Sequence, residues 1–416
     1  MPVKILQCII GIMIKAQTLK GFRDFLPQDA AKRLWFKNKL IAVFESWGYL
    51  PLETPTLEPV ELFAGQVGEG EKLFYRFKDQ GGREVALRYD QTVPACRVVG
   101  QYTGQLVFPF KRYQIQPAFR SEKPQKGRYR EFLQCDADIF GVKSVYADAE
   151  VCGLALDIYR QLGFKEVRLS LNDRELMKEL PYEAIVVIDK LKKIGQEKVL
   201  AEMTEKGISS AKAEEYLKLV QNLKPNKTVK IILNCLEKMG FPKNWFNFEP
   251  TLARSFSYST GPIFEIEIPG YQAGSVLGGE RFDNIVKNIS GLDIPGTGFA
   301  VGFDRTLEAV EQFGLLPDFQ PIPQVLVTIF SADLFEDSLK ISSSLRSEGI
   351  KTELYPNPEN KLDKQLKYAD QKGIPFAVIA GPDEINKFTV TVKNLVLTKQ
   401  ETLPREKLAD YFKNQK

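Results

Sequence analysis

The sequence predicts an α+β chain: an antiparallel sheet core flanked by helices, a helical insertion, and a small α/β module at the C-terminal end. Three observations lead there. Short β-like runs with charged tips follow one another, from KLFYRF and EVALRYD to KRYQIQPAFR and EFLQCDADIFG, as in an antiparallel sheet. Residues 174–245 are dense in lysine and glutamate, sparse in glycine and helical in period. Beyond Pro317, Pro321 and Pro323, apolar strands (QVLVTIF, PFAVIAG) alternate with helical segments, the pattern of a small parallel or mixed α/β domain.

In chain order, residues 1–17 read as an extension, and Met13 offers an alternative start. Its apolar run from Ile5 to Ile14 falls far short of the ~20 residues that span a bilayer, so no membrane is expected. Residues 30–49 read as a helix, with Leu34, Leu40, Ile41, Phe44 and Trp47 at helical spacing and Gly48 at the stop. PLETPTLEPVELF is extended and punctuated by proline. A second helix is predicted over 146–162, with Val151, Leu154, Ile158 and Leu162 on one side. After the insertion, β and glycine signals resume in TLARSFSYSTGPIFEIEI, GYQAGSVLGGERFDNIV and GTGFAVGFDRTLEAVEQF. The chain thus divides into the extension (1–17), a core (18–320, insertion at about 174–245) and the module (322–416).

At 416 residues, with 44% apolar and 26% charged residues, the chain can bury a full core. The formal charge is 57 − 53 = +4, which by itself points to no polyanion. The module carries 14 basic and 13 acidic residues, or +1. Lys361, Lys364 and Lys367 share helical spacing there, as a local nucleic-acid surface or a solvated helix face. There is no histidine. That excludes Ser–His and Cys–His nucleophile pairs and His-ligated metals, and leaves electrostatic catalysis by arginine, lysine, backbone N–H groups or a carboxylate-bound Mg²⁺. The five cysteines are scattered without CxxC spacing, as for reduced thiols in a cytoplasm.

The strongest local signal is Lys111–Arg130, with seven basic residues and one acid in twenty positions. Pro124 and Gly127 put its middle in a loop between strands, and Tyr113, Phe119 and Tyr129 interleave with the charges. Such a segment suits phosphate, because a guanidinium fork holds two oxygens at once. By composition alone it is equally a solvated basic hairpin.

The wording is more specific. Arg112–Gln134 resembles motif 2 of the class II aminoacyl-tRNA synthetases, in the form found in the histidyl-tRNA synthetase family. GFRDFLP at 21–27 is similar to that family's N-terminal signature, and the 30–49 helix with ETP resembles motif 1, the dimer-forming element. LRYDQTVP at 87–94 is similar to the amino-acid-site strand. LARSFSYSTGPIFE at 252–265 and GGERFD at 278–283 resemble the two histidine-specific motifs, GTGFAVGFDRTLE at 296–308 resembles motif 3, and the last domain resembles the anticodon-binding module.

The resemblance implies a class II synthetase-like core and a histidine–tRNA ligase. Its substrates would be ATP with Mg²⁺, L-histidine and the histidine tRNA, and it would be a cytoplasmic homodimer. Adenylate formation uses the amino acid's own carboxylate as nucleophile, so the missing histidine is no obstacle. By resemblance, Arg120 and Arg254 are catalytic at the α-phosphate. Glu122 meets the adenine amino group, Arg128 clamps the distal phosphates, and Arg305 packs over adenine. The amino-acid pocket is expected to hold Asp90, Thr92, Arg120, Gln134, Asp138, Arg254, Tyr258 and Ser259. Gln125 and Lys126 are the expected acceptor-end readers, and no protein-bound metal is expected.

The chain departs from the family pattern at Ser259, where a second tyrosine normally bonds the imidazole. It departs also at Ser257, Phe282 and Leu133. Two other readings therefore stand beside the ligase. One is a synthetase-like regulatory paralogue, a subunit for histidine biosynthesis or a sensor of uncharged tRNA. The other is a synthetase for another amino acid.

Overall fold

The computed structural model describes residues 16–65, 68–124, 128–254, 257–317 and 322–415. Most of the N-terminal extension, together with Gln125, Lys126 and Pro321, lies outside them. The chain divides into two compact units, Met1–Leu316 and Pro317–Lys416.

The first unit opens with helix α1 (Pro27–Ser46), which starts on a proline suited to the first turn and ends before Gly48 at positive φ. Strands β1 (Leu50–Pro51), β2 (Leu57–Pro59), β3 (Arg76–Lys78) and β4 (Glu84–Leu87) follow. Helix α2 (Thr92–Gln101) precedes the long hairpin of β5 (Phe110–Phe119) and β6 (Glu131–Phe140). Helix α3 (Val145–Gln161) leads to β7 (Arg168–Asp173). The insertion is a run of short helices (Tyr182–Ile188, Leu191–Ile194, Gln196–Glu205, Ser210–Gln221) that ends in α4 (Lys227–Lys238), beside α3. Then come β8 (Phe246–Phe248), β9 (Pro262–Glu267), β10 (Leu277–Arg281), β11 (Gly296–Gly302) and α5 (Phe303–Gln312).

Eight strands form one sheet in the order β1-β5-β6-β11-β10-β9-β7-β8. Its centre is antiparallel, as expected, while the two edge pairs, β1–β5 and β7–β8, are parallel. The β-like runs before residue 90 do not join it. They make a separate antiparallel sheet in the order β2-β4-β3.

Residues pointing to opposite faces of the main sheet differ sharply. Tyr113, Ile115, Cys135, Ala137, Phe264, Phe299 and Val301 join the apolar core with Phe36, Leu40 and Phe44 of α1 and Leu154 and Ile158 of α3. Phe44 stacks on Tyr113 at 5.3 Å between centroids. Since side chains alternate along a strand, the opposite face carries Arg112, Gln114, Gln134, Asp136, Asp138, Glu265 and Glu280. One face of the sheet makes the core, and the other is left for chemistry.

The second unit holds β12 (Val325–Val327), β13 (Thr352–Leu354), β14 (Phe376–Ile379), β15 (Thr389–Asn394) and β16 (Lys399–Pro404) in the order β13-β12-β14-β15-β16. The first three are mutually parallel and the last two antiparallel, so the sheet is mixed. Val325, Val327, Ile341, Leu345 and Val378 build its own core. Lys361, Lys364 and Lys367 are exposed at the start of the Leu362–Lys372 helix.

Candidate active site

The polar face of the sheet lines a cavity of about 690 Å³, large enough for a nucleotide with an amino acid beside it. Strand register explains how its wall is built. One cross-strand row runs Arg112–Asp138–Gly298–Glu280, and the next runs Gln114–Asp136–Ala300–Gly278–Glu265. The two glycines leave room for side chains to lie over the backbone. A Cβ at Gly298 would fall 1.7 Å from Asp138 Oδ1, and one at Gly278 would fall 1.9 Å from Arg254 Nη1. Only glycine tolerates that approach.

Arg120, at the end of β5, is held flat between rings. Its guanidinium carbon lies 4.2 Å from the Tyr89 centroid and 5.1 Å from that of Phe132, and its Nε donates to Tyr89 O at 3.3 Å. Arg305, in the first turn of α5, donates through Nη1 to Ser275 O at 3.0 Å. Arg254 has φ of 49°, a conformation unusual for a side-chain-bearing residue. Its Nη1 lies 3.2 Å from Glu265 and its Nη2 3.2 Å from Glu280. Burial disfavours its charge, but Glu280 and then Glu265 overcome that and raise its pKa above the arginine range. The mainly exposed Arg128 pairs with the buried Glu122 across the base of the loop between β5 and β6.

Asp90 precedes α2. Its Oδ1 accepts from Val93 N at 3.1 Å and so caps the helix, while Oδ2 is buried without a hydrogen-bond partner. Burial raises its pKa, against the pull of that N–H and of Arg120. Gln134 donates to Asp136 at 3.0 Å, and its own Oε1 is likewise buried and unpartnered. These orphaned acceptors are what a ligand with N–H donors would satisfy. Asp138 pairs with the wholly buried Arg112. Burial raises the pKa of both Asp136 and Asp138, and Arg112 opposes it in each. Thr92 and Tyr258 also line the cavity. The Tyr258 phenol is pushed well up by burial and by Glu280 and stays neutral.

The cavity thus gathers Asp90, Thr92, Arg120, Glu122, Arg128, Gln134, Asp138, Arg254, Tyr258 and Arg305. Ser259 is not on its wall: it is buried, and its hydroxyl donates to Glu280. A side chain that short turns inward, and the carboxylate it holds faces the cavity instead. Gln125 and Lys126 fall outside the described residues.

LRYDQTVP is not a single strand. β4 stops at Leu87, and α2 begins at Thr92, because Asp90 supplies the cap and the Thr-Val-Pro run lies in the first turn, where proline is tolerated. The basic cluster also divides. Lys111 pairs with Glu150, Arg112 is buried against Asp138, and Arg130 caps Glu122 O and Lys20 O, leaving Arg120 and Arg128 for the cavity.

Sequence reasoning missed Glu265, Glu280 and Arg112. Glu280 follows two glycines in its strand, while Glu265 was marked only by its alternation with the apolar Phe264 and Ile266. It also left the GFRDFLP segment without a task. Arg23 pairs with Asp304 at 3.1 Å and lies 3.3 Å from the Tyr129 centroid, so this segment braces α5 and the β5–β6 loop together.

Residues 21–306 match a family model described as histidyl-tRNA synthetase, and residues 324–415 match one described as an anticodon binding domain. The chain is 37% identical over 418 residues to the histidine–tRNA ligase of Rhodopirellula baltica, covering 92% of this chain and 94% of that protein. It is 34% identical over 442 residues to that of Cytophaga hutchinsonii, covering 93% and 97%. A crystal structure of histidyl-tRNA synthetase from a Nostoc species aligns with 97% of this chain and 100% of its own, with a TM-score of 0.80 at 26% identity.

Proposed function

This chain belongs to the histidyl-tRNA synthetase family, and from that premise we propose how its cavity works. The protein is a histidine–tRNA ligase, joining L-histidine to ATP with release of diphosphate and then passing it to the tRNA. The observation that carries the reading of the site is the convergence of Arg120, Arg254 and Arg305 with Asp90, Gln134 and Asp138 on one cavity.

The histidine carboxylate attacks the α-phosphorus of ATP. It is already ionised, so no protein base is needed, in keeping with a chain that has no histidine. What the protein supplies is orientation and positive charge fixed before the reaction. Arg254, clamped by Glu265 and Glu280, faces the α-phosphate together with Arg120. Arg305 and Arg128 take the adenine and distal-phosphate end, Arg128 giving up Glu122 to do so. Glu122 then accepts from the adenine amino group.

The attacking carboxylate must lie near Arg120, and so must the α-ammonium group of the same substrate. Asp90, which feels Arg120, with Thr92 and Gln134, receives that ammonium. Asp138 is bound to Arg112 further along the row and faces the imidazole. A site whose buried acceptors need N–H partners rejects an isostere lacking them by large factors.

ATP enters as its Mg²⁺ complex. Among the described residues no three acidic or cysteine side chains group to hold an ion, and Glu265 and Glu280 are committed to Arg254. The residues present do not fit a resident metal, and no step is assigned to one.

A homodimer is supported by Leu34 on α1, Leu50 on β1 and Leu57 on β2, apolar side chains left exposed where the motif 1 resemblance lies. No described helix is long and apolar enough to cross a membrane, and a cytoplasmic location follows from the work of a ligase in translation. The second unit is assigned to the tRNA anticodon, and Gln125 and Lys126 to its acceptor end.

ATP–diphosphate exchange with each standard amino acid tests the function. Exchange with histidine alone is expected. Silence with every amino acid would leave a regulatory protein, and exchange with a different one would move the specificity.

A further inference from the structure

Arg112 takes no part in the chemistry proposed above. It is 0% exposed, does not itself line the cavity, and belongs to a segment whose charge suggested phosphate. A buried ion pair contributes little net stability over well-packed apolar residues. Its partner, however, is the cavity-lining Asp138, directly opposite on β6. The guanidinium is also fixed from its other side. Arg112 Nη1 donates to Gln114 Oε1 at 3.3 Å, and Gln114 Nε2 donates to Thr54 Oγ1 at 2.8 Å and Gln116 Oε1 at 2.6 Å. Asp138 leans away from this anchor, with Oδ1 over Gly298.

We propose that Arg112 is the positioning residue for histidine selection: it holds Asp138 as a carboxylate turned over Gly298, where it accepts a hydrogen bond from a ring N–H of the substrate imidazole. The inference rests on reading Asp138 as the imidazole contact.

The surroundings of Asp138 explain why an arginine is needed. Asp90, on the turn before α2, disfavours a further negative charge, and Asp136 on the same strand is itself kept protonated by burial and by Asp138. Cys96 on α2 and Tyr49 also face it, held neutral by burial. Of these neighbours only Arg112 is positive. An ionised carboxylate is purely an acceptor, so it selects a ring that donates. Without Arg112, burial would leave Asp138 protonated near neutral pH, and a carboxylic acid makes no such choice.

The test uses the full-length protein and its Arg112→Met, Arg112→Lys and Asp138→Asn variants. KM for histidine, KM for ATP and kcat are read in diphosphate exchange from mildly acidic to mildly alkaline pH. Arg112→Met should raise the histidine KM roughly 10- to 100-fold at neutral pH, the loss of one charge-assisted bond, with the ATP KM little changed. The histidine KM should recover as pH rises and Asp138 ionises. Arg112→Lys should lie between, and Asp138→Asn should show the loss at every pH.

If Asp138→Asn raises the histidine KM while folded Arg112→Met keeps the wild-type value, the inference about Arg112 is overturned and the reading of Asp138 stands. An unchanged histidine KM in Asp138→Asn overturns the reading itself. Should Arg112→Met not fold, Arg112→Lys decides: a several-fold rise confined to histidine supports the proposal, and an unchanged value contradicts it.

Discussion

The two ends of the cavity handle charge in opposite ways. At the end proposed for the nucleotide, Arg128 is largely exposed and its pair with Glu122 spans a loop, a geometry that suits the proposed exchange of partners for phosphate and adenine. At the end proposed for the amino acid, Asp90, Gln134, Asp136, Asp138 and Arg112 are buried, and three of their acceptor atoms, Asp90 Oδ2, Gln134 Oε1 and Asp136 Oδ1, have no hydrogen-bond partner. ATP brings its own strong charge and needs donors that can close on it. Histidine is small and nearly neutral at its ring, so it must be told apart by groups that are already oriented and cannot turn to water. Arg254 stands between the two ends, buried yet charged, because two glutamates hold it.

Breaking the junction should cost most. Arg254→Ala is expected to lower diphosphate exchange on the order of a thousandfold while ATP binding, followed at equilibrium, survives in part. If exchange survives, Arg254 does not face the α-phosphate. Gly298→Ala attacks the amino-acid end alone. Its Cβ would displace Asp138 Oδ1, and a shift of that size should raise the histidine KM by roughly a hundredfold with little effect on ATP. An equal effect on both substrates would erase the distinction between the ends.

Ser259→Ala removes one hydroxyl from Glu280, outside the cavity wall, so exchange should fall only several-fold, about the worth of one hydrogen bond. A loss as large as that of Gly298→Ala would mean Ser259 contacts substrate after all.

The smallest effect is on stability. Burial raises the Asp136 pKa, so the folded chain keeps a proton that the unfolded chain gives up near pH ~4. The folded state then binds more protons, and stability falls as pH rises from there toward and above neutrality. Asp136→Asn should remove that slope and raise Tm by a few degrees in mildly alkaline buffer, about 1 kcal/mol, with the gain vanishing in acid. A thermal scan showing the reverse trend would mean that Asp136 is stabilised as a carboxylate.

How far the sequence could be read also divides along these lines. The arginines of the nucleotide end stand in motifs whose order and wording are specific, and Arg120, Arg254 and Arg305 do meet in one cavity. The helices of the core were legible from apolar spacing, α1 and α3 falling within a few residues of their predicted bounds. The amino-acid end was read less well, because its chemistry lies in pairings across strands. A count of charges along Lys111–Arg130 cannot see that Arg112 faces Asp138, or that Lys111 is tied to Glu150. Likewise Ser259 suggested a missing contact, whereas register puts Glu280 across Gly298 from Asp138, a carboxylate on either side of a bare strand. The 87–94 segment is similar to the family's amino-acid-site strand, and that likeness alone suggested a strand throughout. The cap from Asp90 decides otherwise.

The most direct test of the account is a crystal structure with a non-hydrolysable histidyl-adenylate, its phosphate replaced by sulfamoyl. The sulfamoyl oxygens are expected against the guanidinium groups of Arg120 and Arg254, the α-ammonium at Asp90, and the imidazole over Gly298 on Asp138. An analogue bound elsewhere, or one whose ring lies away from the Arg112–Asp138 pair, would contradict that arrangement.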